Sequence, residues 1–285
     1  MRIQKFIAEC GLCSRRAAEE LVEQGKITVN KKPAQIGQDV DPEQDSVMFE
    51  GKRLRLKICD KQYFIFYKPR GVITSMKAQD DRSVIADLIK GIKGRVYPVG
   101  RLDRDSEGLL LLTDDGEAAQ KLTHPSYHIP KTYRVTVKGN PSTDILDILR
   151  QGVELDEGEK TLPAEVFINK QADDKTVLHI TINEGKNRQI RRMCDKTGLE
   201  VLLLKRIAVG DIKLGHLAPG EYRPLSDSEK RYLFDLLNLN PKTRIIKKKK
   251  NPADEKKRRE YRQNKSNTKS IYERRFLKQF SDKKK

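Results

Sequence analysis

Gly100-Arg101-Leu102-Asp103-Arg104-Asp105-Ser106-Glu107-Gly108-Leu109 sets a short acidic loop, Asp103 to Glu107, between Val96–Gly100 and the apolar run Leu109–Leu112. Four consecutive leucines suit a buried strand better than a solvated loop, so the acidic residues stand at the end of packed structure. Arg101 and Arg104 flank Asp103 and should hold its carboxylate ionised, because nearby positive charge favours the anion. An ionised aspartate of restrained geometry serves as nucleophile or as general base. The pattern Asp103-x-Asp105-x-Glu107-Gly108, with Asp114 at the twelfth position, imitates a calcium loop. Leu111 at the ninth position and the missing bidentate Glu at the twelfth set that reading aside, and no metal or cofactor is expected.

Around this loop the chain reads as strands mixed with short helices. Tyr63–Tyr67 is a β-rich run stopped by Lys68-Pro69-Arg70-Gly71. Thr132–Val137 alternates, with Tyr133, Val135 and Val137 on one face, and Val177–Ile182 alternates again. Val201–Leu204 gives a short buried strand. Helical patterns fall at Ser83–Ile92, Ala118–Leu122, Thr143–Arg150, Arg188–Thr197 and Asp227–Leu237. Without regular βαβ alternation this predicts an α+β domain on a mostly antiparallel sheet, over residues 63–240.

Residues 1–57 read as a separate small module, joined through a polar linker at 58–62. Ile3, Phe6, Ile7 and Cys10 recur at helical spacing and Gly11 ends that helix. Ser14 is placed to cap a second helix, Arg15–Gln24, closed by Gly25. A strand at Ile27–Val29, the polar turn Asn30–Lys32 and a strand at Val47–Phe49 follow. Arg15 and Arg16 open the second helix, where a phosphate also meets free backbone N–H groups.

The 285 residues carry a formal net charge of +18, unevenly placed. Residues 241–285 hold 19 Lys and Arg against 5 Asp and Glu, a net of +14, whereas the first 240 hold 40 against 36, a net of +4. A near-neutral body with a strongly basic segment suggests a nucleic-acid partner, since each cation meeting a phosphate releases a condensed counterion. That segment is poor in large apolar residues and is expected to be disordered. The four cysteines (Cys10, Cys13, Cys59, Cys194) do not form a disulfide framework, and Cys10-Gly-Leu-Cys13 has no second pair for a metal knuckle. No stretch approaches the length of a membrane span, so the expectation is a soluble, cytoplasmic monomer.

Three motifs and the N-terminal module together resemble a known family. Gly100-Arg101-Leu102-Asp103 resembles the catalytic signature of pseudouridine synthases, Lys131-Thr132-Tyr133-Arg134-Val135 their second motif, and Glu184-Gly185-Lys186-Asn187-Arg188-Gln189-Ile190-Arg191-Arg192-Met193 their third. Leu204-Lys205-Arg206-Ile207 resembles a further family element, which contacts RNA or the active-site wall, and residues 1–57 resemble the S4 RNA-binding domain. The chain is thereby identified as a member of the S4-containing ribosomal RNA pseudouridine synthases of the RsuA/RluB type (RsuA family). The resemblance implies cofactor-free isomerisation of a uridine, with Asp103 as the catalytic aspartate. It leaves open whether that aspartate adds to the base, adds to the ribose or abstracts the ribose 2′ proton. It further implies that Tyr133 faces the target base and that Arg191 pairs with Asp103, with Arg188 as second choice.

For RNA contact the resemblance and the charge pattern point to Arg15, Arg16, Lys26, Arg101, Arg104, Arg188, Arg192, Lys205 and Arg206. Arg101 or Arg104 would fill the gap left by an extracted uridine or make a fixed phosphate contact. His124-Pro125-x-Tyr127 and the Lys131-Thr132-Tyr133 spelling lean toward 23S rRNA or a pre-ribosomal particle as substrate, with 16S rRNA as the alternative. A non-catalytic RNA-binding or ribosome-assembly factor on the same scaffold is the reading from another class; the intact Asp103 and Tyr133 argue against it.

Overall fold

The structure, a computed structural model, describes residues 1–56, 60–78 and 82–240. The basic segment from Pro241 onward, and residues 57–59 at the start of the expected linker, lie outside the described residues.

Helices α1 (Ile3–Glu9) and α2 (Arg15–Glu23) precede four short strands, β1 (Ile27–Val29), β2 (Lys32–Pro33), β3 (Val47–Phe49) and β4 (Lys52–Arg53), in the order β2-β1-β3-β4. Ser14 caps α2 as expected, its Oγ accepting from Ala17 N at 3.1 Å. Both hairpins turn on consecutive left-handed residues, Asn30 (φ 50°) with Lys31 (φ 68°) and Glu50 (φ 44°) with Gly51 (φ 76°). That backbone twist matches the twist of the flanking strands. Ile3, Phe6, Ile7, Ala18, Val22 and Ile27 form the small core.

The larger region is built from β5 (Tyr63–Lys68), α3 (Ile85–Leu88), β6 (Tyr97–Pro98), β7 (Glu107–Thr113), α4 (Gly116–Thr123), β8 (Lys131–Lys138), α5 (Thr143–Gln151), β9 (Glu165–Gln171), β10 (Lys175–Ile182), α6 (Gln189–Lys196), β11 (Val201–Val209), β12 (Ile212–Lys213), β13 (Tyr222–Pro224) and α7 (Asp227–Leu236). They make a nine-stranded sheet ordered β13-β5-β7-β11-β8-β10-β9, with β6 beside β7 and β12 beside β11. Every pairing is antiparallel except β7 with β11, which matches the mostly antiparallel α+β expectation.

The leucine run explains why the sheet is covered on both sides. Leu110 and Leu112 of β7 join one core with Phe66, Val135, Leu149 and Met193, carrying α5 and α6. Leu109 and Leu111 point the other way, into a core with Ala118, Leu122, Leu233 and Phe234 from α4 and α7. Burial of both faces makes β7 the most constrained strand, and the acidic loop hangs from its N-terminal end.

Two expectations change. The strand expected at Val201–Leu204 runs on through Lys205 and Arg206 to Val209, because it pairs with β8 along that whole length. The helix expected at Ser83–Ile92 is a single turn, Ile85–Leu88. Strand β9 was not anticipated: of its seven residues only Val166 is buried, so it carries no alternation to read.

Candidate active site

Asp103 sits in the loop between β6 and β7, and residues 68–74 hold that loop from behind. Thr74 Oγ1 donates to Leu102 O at 2.7 Å and accepts from Leu102 N at 3.2 Å. Gly71 N donates to Arg104 O at 2.7 Å. Lys68, wholly buried, donates from Nζ to Ser106 O at 2.8 Å, Pro69 O at 3.0 Å and Arg104 O at 3.4 Å. Burial pushes the Lys68 ammonium down to about 8, against the opposing pull of Asp103, Asp105 and Glu107. Lys68 therefore acts as a cationic pin under the acidic loop. A sequence reading that treated Lys68 as the stop of a strand gave no sign of it.

Gly108 fixes the other end. Its φ is +105°, and a Cβ there would land on the Arg206 carbonyl oxygen. Only glycine lets β7 approach β11 at this point.

The aspartate opens onto a cavity of about 370 Å³. Tyr133 from β8 and Arg206 from β11, cross-strand partners, line one wall, and Lys131 lies two residues before Tyr133 on the same strand face. Arg188, Gln189, Arg101 and His124 are also in the lining. The Ser106 hydroxyl is buried in this lining with no hydrogen-bond partner among the described residues.

The arginines of the third motif separate. Arg188 Nη1 lies 4.0 Å from Asp103 Oδ2, whereas Arg191 Nη2 donates to Asp105 O at 3.0 Å. The ion pair with Asp103 thus comes from the second choice, Arg188, rather than from Arg191. The reason is local. The helix starts at Gln189, not at Arg188, and Arg188 takes a left-handed backbone (φ 47°, ψ 31°) just before it. Arg191 stays close electrostatically: burial and Arg188 lower its pKa, while Asp103 and Asp105 oppose them. Gln189, buried, fastens the turn by donating from Nε2 to Glu184 Oε1 at 2.6 Å and accepting from Lys186 N at 3.1 Å.

The expected RNA contacts also sort themselves. Arg15, Arg16 and Lys26 are exposed on the N-terminal module, and Arg101 and Arg104 are exposed on the loop. Arg192 is engaged elsewhere, bridging Glu159 at 3.1 Å and Asp156 at 3.6 Å, so it is not an open phosphate contact. Arg206 is buried at 5 % exposure, with Nε donating to Leu109 O at 2.7 Å, and belongs to the cavity instead of the surface. Its neighbour Lys205 lies over the Tyr67 ring at 4.5 Å. Strand alternation sends the two side chains to opposite faces.

A second cavity, about 780 Å³, lies between the N-terminal module and the sheet region, with Lys5, Arg15, Lys61, Arg95 and Tyr97 in its walls. It shares Val99, Gly100 and Thr123 with the first. Arg95 Nη1 donates across the junction to Cys13 O at 2.9 Å. Among the described residues no helix is long and apolar enough to cross a membrane.

Both regions of the chain are similar to known proteins. The RNA pseudouridylate synthase family matches residues 62–196, and the S4 domain matches residues 1–46. The chain is 43% identical over 235 residues to ribosomal large subunit pseudouridine synthase B of Bacillus subtilis (strain 168), covering 81% of this chain and 95% of that protein. An uncharacterised RNA pseudouridine synthase of Aquifex aeolicus (strain VF5) is 41% identical over 241 residues, covering 84% of this chain and 96% of its own. A crystal structure of a pseudouridylate synthase superposes with a TM-score of 0.58 at 34% identity, covering 82% of this chain and 99% of that one.

Proposed function

The chain belongs to the RNA pseudouridylate synthase family, and from that premise we propose that it isomerises one uridine of 23S rRNA with Asp103 as the catalytic carboxylate. It is an RNA pseudouridine synthase, an isomerase, with an S4 domain ahead of the synthase domain. The choice of 23S follows the large-subunit name carried by the Bacillus subtilis relative. The proposed division is an S4-like module at 1–57, a linker at 58–62, the synthase domain at 63–240 and a basic segment beyond.

One observation carries the catalytic assignment. Asp103 lies at the cavity lining with Arg188 at 4.0 Å, and Tyr133 lines the same cavity. In this reading a uridine leaves its stack, its base enters beside Tyr133, and Asp103 acts on the nucleoside directly. Tyr133, largely buried, offers a ring face for stacking. Arg188 pairs with the aspartate and aims it, and Arg191 fastens the neighbouring loop through Asp105. The flanking RNA follows the second cavity toward Arg15, past the shared Gly100, with Arg101 in the first cavity beside it. The protein would meet rRNA or a pre-ribosomal particle in the cytoplasm as a monomer.

The test is pseudouridine mapping of 16S and 23S rRNA in cells lacking the protein, complemented with wild type or Asp103→Asn. The expected result is one 23S uridine that loses modification and regains it only with wild type. Restoration by Asp103→Asn would overturn the catalytic role of Asp103, and a lost site in 16S would overturn the choice of subunit.

A further inference from the structure

Two cations share one wall of the cavity, and neither has a role in the reading above. Lys131 opens β8 two residues before Tyr133, and both side chains line the cavity. Its Nζ donates to Ile129 O at 2.9 Å, which uses one of three ammonium protons. Arg206, cross-strand from Tyr133, is buried and has turned Nε to Leu109 O. Among the described residues neither side chain forms an ion pair, since no carboxylate oxygen comes within 4.0 Å of it. Two adjacent cations, partly or wholly desolvated and without a counterion, are unfavourable for the resting fold. A ligand that develops negative charge in the cavity turns the arrangement favourable.

We propose that Lys131 is a catalytic group of this site, donating to a carbonyl oxygen of the target uracil as the base separates from the ribose, with Arg206 holding the same wall positive. The inference rests on the reading of the chain as a uridine isomerase acting through Asp103. When the C1′–N1 bond breaks, its electron pair stays on N1 and spreads onto O2 and O4 of the ring. Lys131 meets that charge at the oxygen. C5 then bonds to C1′ and gives its proton to water, and N1 takes a proton from water, so the isomerised base ends neutral. Burial and Arg206 push the Lys131 ammonium down to about 8, so the required cation is present below that pH and lost as pH rises through it. The other charged or titratable groups of the lining are Asp103, Tyr133, Glu184, Lys186, Arg188, His124 and Arg101.

The experiment uses the full chain in single-turnover assays on unmodified 16S and 23S transcripts, taking the one that wild type modifies. Lys131→Met is expected to lose about 10²- to 10³-fold in rate while RNA affinity stays at its wild-type value and the melting temperature does not fall. The wild-type rate should fall above about pH 8, and Lys131→Arg, which does not titrate there, should make that fall shallower, what remains belonging to Lys68. A Lys131→Met rate within about threefold of wild type overturns the proposal. So do superimposable pH profiles for wild type and Lys131→Arg, a comparison that decides the matter even if the Met variant does not fold. Asp103→Asn runs alongside. An active Asp103→Asn overturns the underlying reading, whereas a silent Asp103→Asn beside a fully active Lys131→Met overturns the role of Lys131 alone.

Discussion

Arg15 and Arg16 open α2 with their side chains in solvent, whereas Lys68 and Arg206 sit inside the synthase region with 0 % and 5 % exposure. The same kind of charge therefore does different work in the two regions. An exposed guanidinium is hydrated, mobile and screened by salt, so it contributes affinity that any phosphate can use. A buried ammonium costs desolvation and persists only where fixed partners offset that cost, so it defines geometry. In the proposed function the N-terminal module holds RNA and the sheet aims one carboxylate.

Substitutions on the two sides should break along that line. The largest effect is expected inside: Lys68→Met strands the carbonyls of Pro69 and Ser106, leaves Arg104 O to Gly71 N alone, and lets the acidic loop drift. Single-turnover rate should fall about 10²-fold, because a displacement near 1 Å at the reacting group costs that much. Urea denaturation should show a loss of about 2 kcal/mol. A stable Lys68→Met protein of normal rate would show that the loop needs no pin. The double substitution Arg15→Ala/Arg16→Ala should leave the rate at saturating RNA unchanged and weaken binding about tenfold at moderate salt. The slope of log affinity against log salt should become shallower by about 1.5, and an unchanged slope would remove these arginines from the RNA path.

The smallest effect sharpens the comparison with a pair that belongs to neither function. Arg223 of β13 holds Glu229 of α7 through two bonds of 2.7 Å, and keeps that carboxyl down at about 2. A depressed carboxylate contributes stability above its ordinary range and loses it as pH falls toward the folded value. Glu229→Gln should cost below about 1 kcal/mol at neutral pH, since solvent screens the pair. Its melting temperature should converge with wild type between about pH 4.5 and pH 2. A gap that persists in acid would assign the contribution to the capping box with Ser226 instead.

Much of this molecule was legible from local patterns. Leu109–Leu112 specified a buried strand, Ser14 a helix start and Tyr133-Val135-Val137 one inward face, because each depends on periodicity or on a single cap. The motif aspartate was legible by resemblance, and Tyr133 lines the same cavity as Asp103. What escaped depends on partners distant in sequence. Lys68 reads as a strand terminator until the carbonyls of residues 104 and 106 close over it. Arg206 stays open between an RNA contact and the active-site wall until β11 is seen to run past Leu204 into the sheet, which puts it in the wall. Arg188 and Arg191 are interchangeable on a helical wheel, and a one-residue shift in where α6 begins decided which reaches Asp103.

That same shift sets activity against durability. A non-glycine residue at φ 47° carries about 1 kcal/mol of backbone strain, and Arg188 bears it at the head of α6 while reaching Asp103. Replacing Arg188 with glycine should relax the backbone and raise the melting temperature while depriving the aspartate of its cation. Selection for heat resistance alone would push this position away from arginine. Selection for turnover would hold it there, so laboratory evolution toward thermostability should find its gain here at the expense of the reaction.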